Sequence, residues 1–455
     1  MPVQLAVANI ALDTASVSRQ GFGTILFVGK HNYFSERTRT YTSTLAMSED
    51  GIPTDSSIYI AAQGAFSQSP KPTSIKIGRQ ETTSVLTPTA PSTGLEYKVS
   101  LASNGKAITE YEYTALAGDT DAEDIVDAVK ALIDADAAMA AVVTTTKVGV
   151  GADAVLELSQ TVSGTDWFTV SLLTNLEESF VATSTESAAE TISRTQLEDD
   201  AWYYFTAEDH STTFVTDAAA YIESQLKVYH FTTSDVGSYA NPVTGALAVP
   251  AANSYARSWG DYHQDADTKF PEVGRLAEIV PFTTGTVTYI NRKIRGFQPA
   301  KNALGNDLTT TEQNNIKSVN GGFFARVGNG ATDPVVTGNG KVGVGEWIDN
   351  IVTRDNMQVD IEADFTNFLI NQKASKVAYN AKGLNQCKAV LQNTLTLYTA
   401  DGIHDFIEPD FEITVADITD IPDADKAARI LKQITFVATL SGAIHMVEIT
   451  GTLTL

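Results

Sequence analysis

The chain has 455 residues, of which 43% are hydrophobic, enough for about three globular domains with well-filled cores. It contains no run of 18 uncharged apolar residues, and residues 1–16 lack the basic and apolar parts of a signal peptide, so we expect neither a membrane anchor nor secretion. The net charge of −24 argues against nucleic acid as a partner, because that partner requires clustered Lys and Arg. The single cysteine, Cys387, cannot form an internal disulfide and is expected to be a small core residue of a protein assembled in the cytoplasm.

The negative charge is concentrated in one part of the chain. Residues 81–200 contain 21 acidic and 5 basic side chains, a net charge of −16, whereas the rest of the chain carries only −8. A segment with this excess is expected to face solvent, where it favours solubility.

The first ordered pattern is a strand, a helix and a second strand within residues 21–81. The apolar run 25–28 ends at a glycine, and residues 58–66 repeat apolar side chains at helical spacing after a cap at Asp55 or Ser56. Residues 75–77 then read as the second strand. This order predicts a βαβ unit with a long first connection.

Two polar stretches, 82–93 and 183–194, read as linkers around an inserted acidic α+β domain, residues 82–194. Strands are predicted at 96–101, 110–115, 155–158 and 167–172. A helix is predicted to begin at a capping box formed by Thr120 and Glu123.

The strand and helix alternation resumes after the insertion. Apolar strands at 202–205 and 228–231 flank a helical pattern over 215–226, so we predict one discontinuous α/β domain from residues 21–81 plus 195–284. Residues 285–440 follow as a further domain, with a β stretch at 285–296 and the longest helix at about 346–370. The predicted fold class is a multidomain α/β and α+β protein with a mixed β-sheet core, flanking helices and extended terminal arms.

Both ends of the chain alternate in the manner of half-buried strands, giving an N-terminal arm (1–20) and a C-terminal arm (441–455). The apolar residues of these alternations are Val3, Leu5, Val7, Val447, Ile449, Leu453 and Leu455. A short helix at 425–432 and a change to a period of two at Ile434 precede the second arm. The pattern leaves two possibilities open, because these ends can pair with their own domain or add to neighbouring copies.

No motif indicates an active site, a cofactor site or a nucleotide site, so we predict a protein that is not an enzyme. Residues 338–343 match G-x-G-x-x-G by letter but lie between short β segments, which favours a hairpin turn. Asp261, His263, Asp265, Asp267 and Glu272 have the spacing of a calcium loop, yet His occupies a ligand position and Ala266 replaces the required glycine, which favours a solvated polar loop. The spacing alone does not decide whether Asp261 to Glu272 bind a metal.

Several short motifs resemble the tail sheath proteins of contractile-tailed phages, and their order along the chain carries the resemblance. They are Gly21-Phe22-Gly23-Thr24, Ser67-Gln68-Ser69-Pro70-Lys71-Pro72, Ile75-Lys76-Ile77-Gly78-Arg79, Gly345-Glu346-Trp347-Ile348-Asp349, Tyr379-Asn380-Ala381-Lys382-Gly383 and Leu440-Ser441-Gly442-Ala443-Ile444-His445. The match covers about residues 1–80 and 195–455 and leaves out the acidic segment.

The resemblance implies a structural protein of the virion tail that assembles in the host cytoplasm. It implies stacked hexameric rings around a tail tube, with residues 285–440 as the inner domain that faces the tube. It also implies exchange of terminal strands between subunits, and contraction that drives the tube through the host envelope to deliver the genome. The implied partners are other copies of the chain, the tube protein, and the baseplate and tail terminator proteins. From the residues themselves, Lys426, Arg429 and Lys432 recur on one helix and are candidates to face an acidic tube, or are a solvated helix face. Two alternatives stay open, an adhesin or surface-layer protein and a nucleotide-binding α/β enzyme.

Overall fold

A computed structural model describes residues 22–104, 106–181, 184, 186–328, 330, 333–372 and 376–446. The strands are, in chain order, β1 Ile25–Lys30, β2 Thr38–Tyr41, β3 Ile75–Gln80, β4 Ser84–Pro88, β5 Glu96–Ser103, β6 Lys106–Thr114, β7 Val143–Val148, β8 Val155–Gln160, β9 Phe168–Thr174, β10 Leu176–Phe180, β11 Tyr204–Ala207, β12 Val228–Thr233, β13 Ser258–Tyr262, β14 Gly322–Arg326, β15 Val335–Gly338, β16 Glu412–Val415 and β17 Ile434–Val437. The helices are α1 Thr44–Glu49, α2 Ser57–Phe66, α3 Ala122–Ala135, α4 Ala137–Ala140, α5 Ala188–Glu198, α6 Thr212–Glu223, α7 Gly237–Ala240, α8 Val249–Ala252, α9 Ala266–Lys269, α10 Pro271–Ala277, α11 Thr310–Ser318, α12 Ile348–Ile370, α13 Ala381–Leu397 and α14 Asp423–Ala428.

The described residues fold into two compact units. The larger one comprises described residues within 22–283 and 287–351, together with 445–446, and the smaller one comprises 284–286 and the described part of 352–444. The predicted limits of the five parts of the chain stay a prediction. Residues 287–351, which belong to the predicted domain 285–440, pack in the larger unit.

An eight-stranded mixed sheet organises the larger unit, in the order β15-β14-β13-β12-β11-β1-β3-β2. Its six inner strands are parallel, and β15 and β2 run antiparallel at the two edges. Leu26 of β1 is paired with Lys76 of β3 on one side and with Phe205 of β11 on the other. The predicted βαβ unit is confirmed, with α2 capped by Ser56. The strands before and after the acidic segment share this sheet, as predicted.

The inserted α+β segment has two small sheets and a hydrophobic core of its own. Its sheets are β10-β4-β8-β7 and β6-β5-β9. Helix α3 buries Ile125, Val129 and Ile133 in a core cluster whose members all lie between residues 86 and 176. Apolar side chains on one face of α3 therefore hold the insertion together, as the helical spacing predicted.

Three local predictions about this region are wrong. Residues 82–93 are not a linker, because 84–88 form strand β4 between β8 and β10 and bury Leu86 completely. Residues 183–194 include the start of α5, where Ser187 and Glu190 form a capping box. Helix α3 is capped by Asp121, whose carboxylate accepts from the Glu123 amide at 3.0 Å, and not by Thr120.

A buried ion-pair network connects the insertion to the large sheet. Arg37 donates to Glu81 at 2.6 Å and to Glu186 at 2.9 Å, and Arg194 donates to Glu186 at 2.6 Å. The side chains of Glu81 and Glu186 are fully buried. Glu81 also accepts from the amide of Gly164, within the insertion, at 2.7 Å. These bonds satisfy both carboxylates and tie the end of β3 to the inserted segment.

The prediction of a β stretch at 285–296 is wrong, because among the described residues the only β pairing of this stretch is an isolated bridge from Lys293 to Val336. Gly285, Asn291 and Gly296 adopt positive φ angles, which break the extended conformation. The predicted long helix is confirmed as α12.

Candidate subunit-docking site

A two-stranded antiparallel ribbon forms the most exposed β element of the smaller unit. Strands β16 and β17 pair Ile413 with Phe436 and Val415 with Ile434. The pairing continues towards residue 441, because the Glu408 amide donates to the Thr439 carbonyl at 2.8 Å. In the part of the chain that the structure describes, no third strand joins this sheet.

One face of the ribbon packs on helices α12 and α13. Met357, Leu391, Leu395 and Tyr398 form a buried cluster with Ile413, and Ile434 packs against its rim. Tyr398 is fixed further by its hydroxyl, which donates to the Asp360 carboxylate at 2.7 Å. An isolated pair of strands is only marginally stable in water, so packing against α12 and α13 on one face stabilises the ribbon.

The other side of the ribbon and the chain that follows it expose large apolar side chains. Val437 on this side is 75% exposed, and Leu440, Ile444 and Met446 farther along the chain are 48%, 84% and 72% exposed. Phe436 pairs directly with Ile413 and shares the packed face, yet it is still 39% exposed. Within the described residues, the outer edge of β17 lacks a strand partner. An open edge with neighbouring apolar side chains is a template for an added strand from another chain.

The residues predicted to exchange between subunits, Val3, Leu5, Val7, Val447, Ile449, Leu453 and Leu455, lie outside the described residues. His445, two residues before the C-terminal group, is held by contacts within the larger unit. His445 lies 3.0 Å from the Thr288 hydroxyl, contacts the Trp347 ring at 4.3 Å between centroids, and accepts from Asn291 at 3.1 Å through its carbonyl. This environment agrees with a structural histidine.

The three candidate tube-facing residues differ in their surroundings. Lys432 donates to Asp425 at 2.8 Å, and this bond lowers the pKa of Asp425. Lys426 lies 3.3 Å from Asp423, whereas no carboxylate pairs with Arg429 among the described residues. Helix α14 ends at residue 428, so neither Arg429 nor Lys432 lies in it, and the three residues do not share a helical face. Their role towards a tube stays a prediction.

The candidate calcium ligands are solvated only in part, because Asp267 is exposed and Asp265 is half-buried. Asp261, His263 and Glu272 are almost completely buried, in β13, just after it and in α10 respectively. Glu272 accepts from Thr232 and lies 3.1 Å from His210. Across the described residues, no group of three or more His, Cys, Asp or Glu side chains is arranged to hold a metal ion.

A buried cation neutralises Asp261 instead of a metal. Arg275 binds both of its oxygens, one of them at 2.5 Å, and donates to the carbonyls of Tyr289 at 2.9 Å and Asn339 at 2.6 Å. Burial opposes ionisation of Asp261, but Arg275 and then His230 hold the pKa of this carboxyl below its usual range. The acidic pattern in the sequence therefore reflects an internal ion-pair network.

The turn after β1, where a nucleotide-binding sheet would place phosphate, is closed by carboxylates. The Lys30 amide donates to Glu208 at 2.8 Å, and its ammonium lies 3.1 Å from Asp209. These carboxylates occupy the donors that a phosphate would need and would repel its charge. The glycine motif at 338–343 begins at the last residue of β15 and contains Lys341, which forms a bridge with Trp347, and no helix opens at Gly343. The nucleotide-binding alternative loses its support.

No helix among the described residues is long and apolar enough to cross a membrane.

Comparisons with known proteins connect this fold to contractile injection systems. No protein-family model matches the sequence, and no curated protein is significantly similar to it. A chain of the anti-feeding prophage (AFP) baseplate is 9% identical with a TM-score of 0.53, and the alignment covers 100% of both chains. A chain of the sheath complex of an extracellular contractile injection system, PVC, in its contracted state is 9% identical with a TM-score of 0.53, over 99% of this chain and 97% of the other. The sheath tail protein Lin1278 of Listeria innocua is 8% identical with a TM-score of 0.43, over 93% and 95% of the two chains.

The predicted mixed α/β fold is confirmed, and the resemblance to contractile-tail sheath proteins is confirmed at the level of the fold. The alignments extend over nearly the whole chain, so the likeness includes the inserted segment that the sequence motifs left out.

Proposed function

We propose that the protein is the sheath subunit of a contractile tail or of a related injection particle. The observation that carries this proposal is the agreement in fold, over 99% of the chain, with a chain of a contractile sheath complex. Subunits would assemble as hexameric rings stacked around a tube, with a baseplate at one end and a terminator protein at the other. Contraction would drive the tube through a cell envelope, and in a phage it would deliver the genome.

The open ribbon of the smaller unit supports assembly by strand exchange. Added strands from neighbouring copies would complete the β16–β17 sheet and cover Val437 and Leu440, which are 75% and 48% exposed. The donors would be the two terminal groups, Val3, Leu5 and Val7, and Val447, Ile449, Leu453 and Leu455. Backbone ladder bonds do not depend on contacts between subunit bodies, so such tethers would survive a large rotation of those bodies.

The energy for contraction would be stored in the assembled particle. Glu208 and Asp209 close the turn where a phosphate would bind, which supports a stroke without nucleotide hydrolysis. The extended sheath would then be a kinetically trapped state that relaxes to a lower one when the baseplate releases it.

The test is deletion of residues 1–15 or of residues 447–455, followed by electron microscopy of the purified protein. We expect wild-type protein to form hollow striated tubes and each deletion to give monomers or short disconnected rings. A control carrying Thr450→Ser and Thr452→Ser keeps the length and alternation of the arm and should assemble normally. Long tubes from both deletions would refute strand exchange, and a wild-type protein that never assembles would refute the sheath role.

A further inference from the structure

An apolar groove lies in the smaller unit beside the start of β17. It is bounded by the end of α12, the first turns of α13 and residues 429–434, and its volume is about 390 Å³. Its lining includes Phe365, Leu369, Leu384, Cys387, Arg429 and Ile434. Because Ile434 both lines the groove and begins β17, a strand added along β17 would reach the groove.

Arg429 is the cation of this groove, and it is held in an unusual backbone conformation. Its φ of 58° is in the left-handed region, which non-glycine residues rarely adopt. The guanidinium has no carboxylate partner among the described residues, in contrast to Lys426 and Lys432. Residues in such conformations concentrate where a side chain must be presented to a ligand or partner.

The chain around the groove is positive although the whole protein is strongly acidic. Residues 365–400 contain four lysines and no Asp or Glu, in a chain of net charge −24. Most of the groove lining comes from this stretch. The groove therefore favours an apolar segment that brings a negative charge.

We propose that the groove receives residues 447–449 of a second copy of the chain, with Val447 and Ile449 on the apolar floor and Glu448 paired with Arg429 at the rim. This inference rests on the strand exchange proposed above and specifies its receptor. Adjacent strand residues point to opposite faces, so apolar side chains can enter the groove while Glu448 faces outward to the exposed guanidinium. The other candidate donor group, Val3, Leu5 and Val7, brings no such charge, because residues 1–12 contain no acidic side chain.

The single cysteine of the chain provides a direct test, because Cys387 lines the groove. The variant Ile449→Cys is assembled and then oxidised with copper phenanthroline, which takes up the two electrons of each disulfide formed. Each chain carries two thiols, so pairing of Cys387 with position 449 of the next copy gives a ladder of covalent multimers on a non-reducing gel. In the matched variant Thr450→Cys, the new thiol would lie on the opposite face of the strand, so we expect dimers at most. Wild type, with one cysteine in each chain, should likewise give dimers at most.

A charge swap tests the ion pair in the same assay. Glu448→Arg in the Ile449→Cys background should lower the multimer yield about fivefold, the range of a partly exposed ion pair. Adding Arg429→Glu should restore it.

Micrographs of the same samples separate the two proposals. Three outcomes would refute docking of residues 447–449 in the groove and leave the sheath role intact. They are long tubes without a multimer ladder, a disulfide confined within single chains, and equal multimer yields from cysteines at positions 449 and 450. Failure of all variants and wild type to assemble would overturn both.

Discussion

The buried ion pair of the large sheet gives a sharp test of the physical reasoning, through the variant Arg275→Met. Methionine is close to arginine in length but carries no charge. It would leave Asp261, which is 1% exposed, without its main counterion, and would free the Tyr289 and Asn339 carbonyls from their bonds at 2.9 and 2.6 Å. Removing one partner of a buried ion pair costs about 3–5 kcal/mol, because the other charge stays buried. That loss is a large part of the roughly 5–15 kcal/mol that stabilises a typical domain.

The assay is urea unfolding followed by tryptophan fluorescence, for which Trp259 is a local reporter, since its ring is stacked on His230 at 4.7 Å. The matched control is Lys269→Met. Its ammonium lies 2.7 Å from Asp265, but the side chain is 47% exposed, so we expect a change below about 1 kcal/mol. A double variant, Arg275→Met with Asp261→Leu, leaves no uncompensated charge and should recover at least about 2 kcal/mol of the loss. An Arg275→Met protein that unfolds within 1 kcal/mol of the Lys269→Met protein would refute the reasoning.

Two further predictions concern the larger unit. Burial raises the pKa of Glu178 to about 7, although the hydrogen bond from Ser84 has a smaller opposing effect. The contribution of protonated Glu178 to the free energy of unfolding is therefore present below pH 4.5 and is lost as the pH rises through about 7. Glu178→Gln should therefore stabilise the protein by about 1–2 kcal/mol at pH 8 and have little effect at pH 4.5, and equal unfolding midpoints of the two proteins at pH 8 would contradict this. Gly78→Ala would place a methyl group 2.7 Å from Val28 Cγ2 and 3.1 Å from Leu26 Cδ1 and should lower the melting temperature, at a cost of about 1–3 kcal/mol. Gly118→Ala, where no atom lies within 4 Å, is its control, and similar melting temperatures for the two variants would show that β1 and β3 are loosely packed.

The large sheet was predictable because its strands have a strong local signal. The apolar runs that became β1 and β12 end at polar or glycine residues, and they bury nearly all of their side chains. Parallel strands covered on both faces have this continuous apolar pattern. Strand β4 lacks a continuous apolar run, because threonine, serine and proline dominate the sequence around it. Its position in the sheet is decided by pairing with β8 and β10. Tertiary pairing overrides local propensity at such positions.

The candidate site was only partly predictable. The change of period at Ile434 indicated β17, but its partner β16 is short and flanked by acidic residues. The open edge of β17, seen within the described residues, is a property of the sheet and has no signal in the local sequence. The groove draws residues from three separated segments, so no local pattern could indicate it. Burial of Asp261 and Glu272 was missed for a related reason, because their partners Arg275 and His210 lie 14 and 62 residues away.

The network of Arg37, Glu81, Glu186 and Arg194 has a mechanical consequence. The fully buried carboxylates of Glu81 and Glu186 accept bonds of 2.6–2.9 Å from the two arginines, and these bonds tie the base of the insertion to the sheet. We expect a turn of the large sheet to carry the acidic segment with it. A fluorescent dye attached to that segment is therefore expected to report the orientation of the sheet. In the proposed sheath, pairs of dyes on adjacent copies would record how far each subunit body rotates.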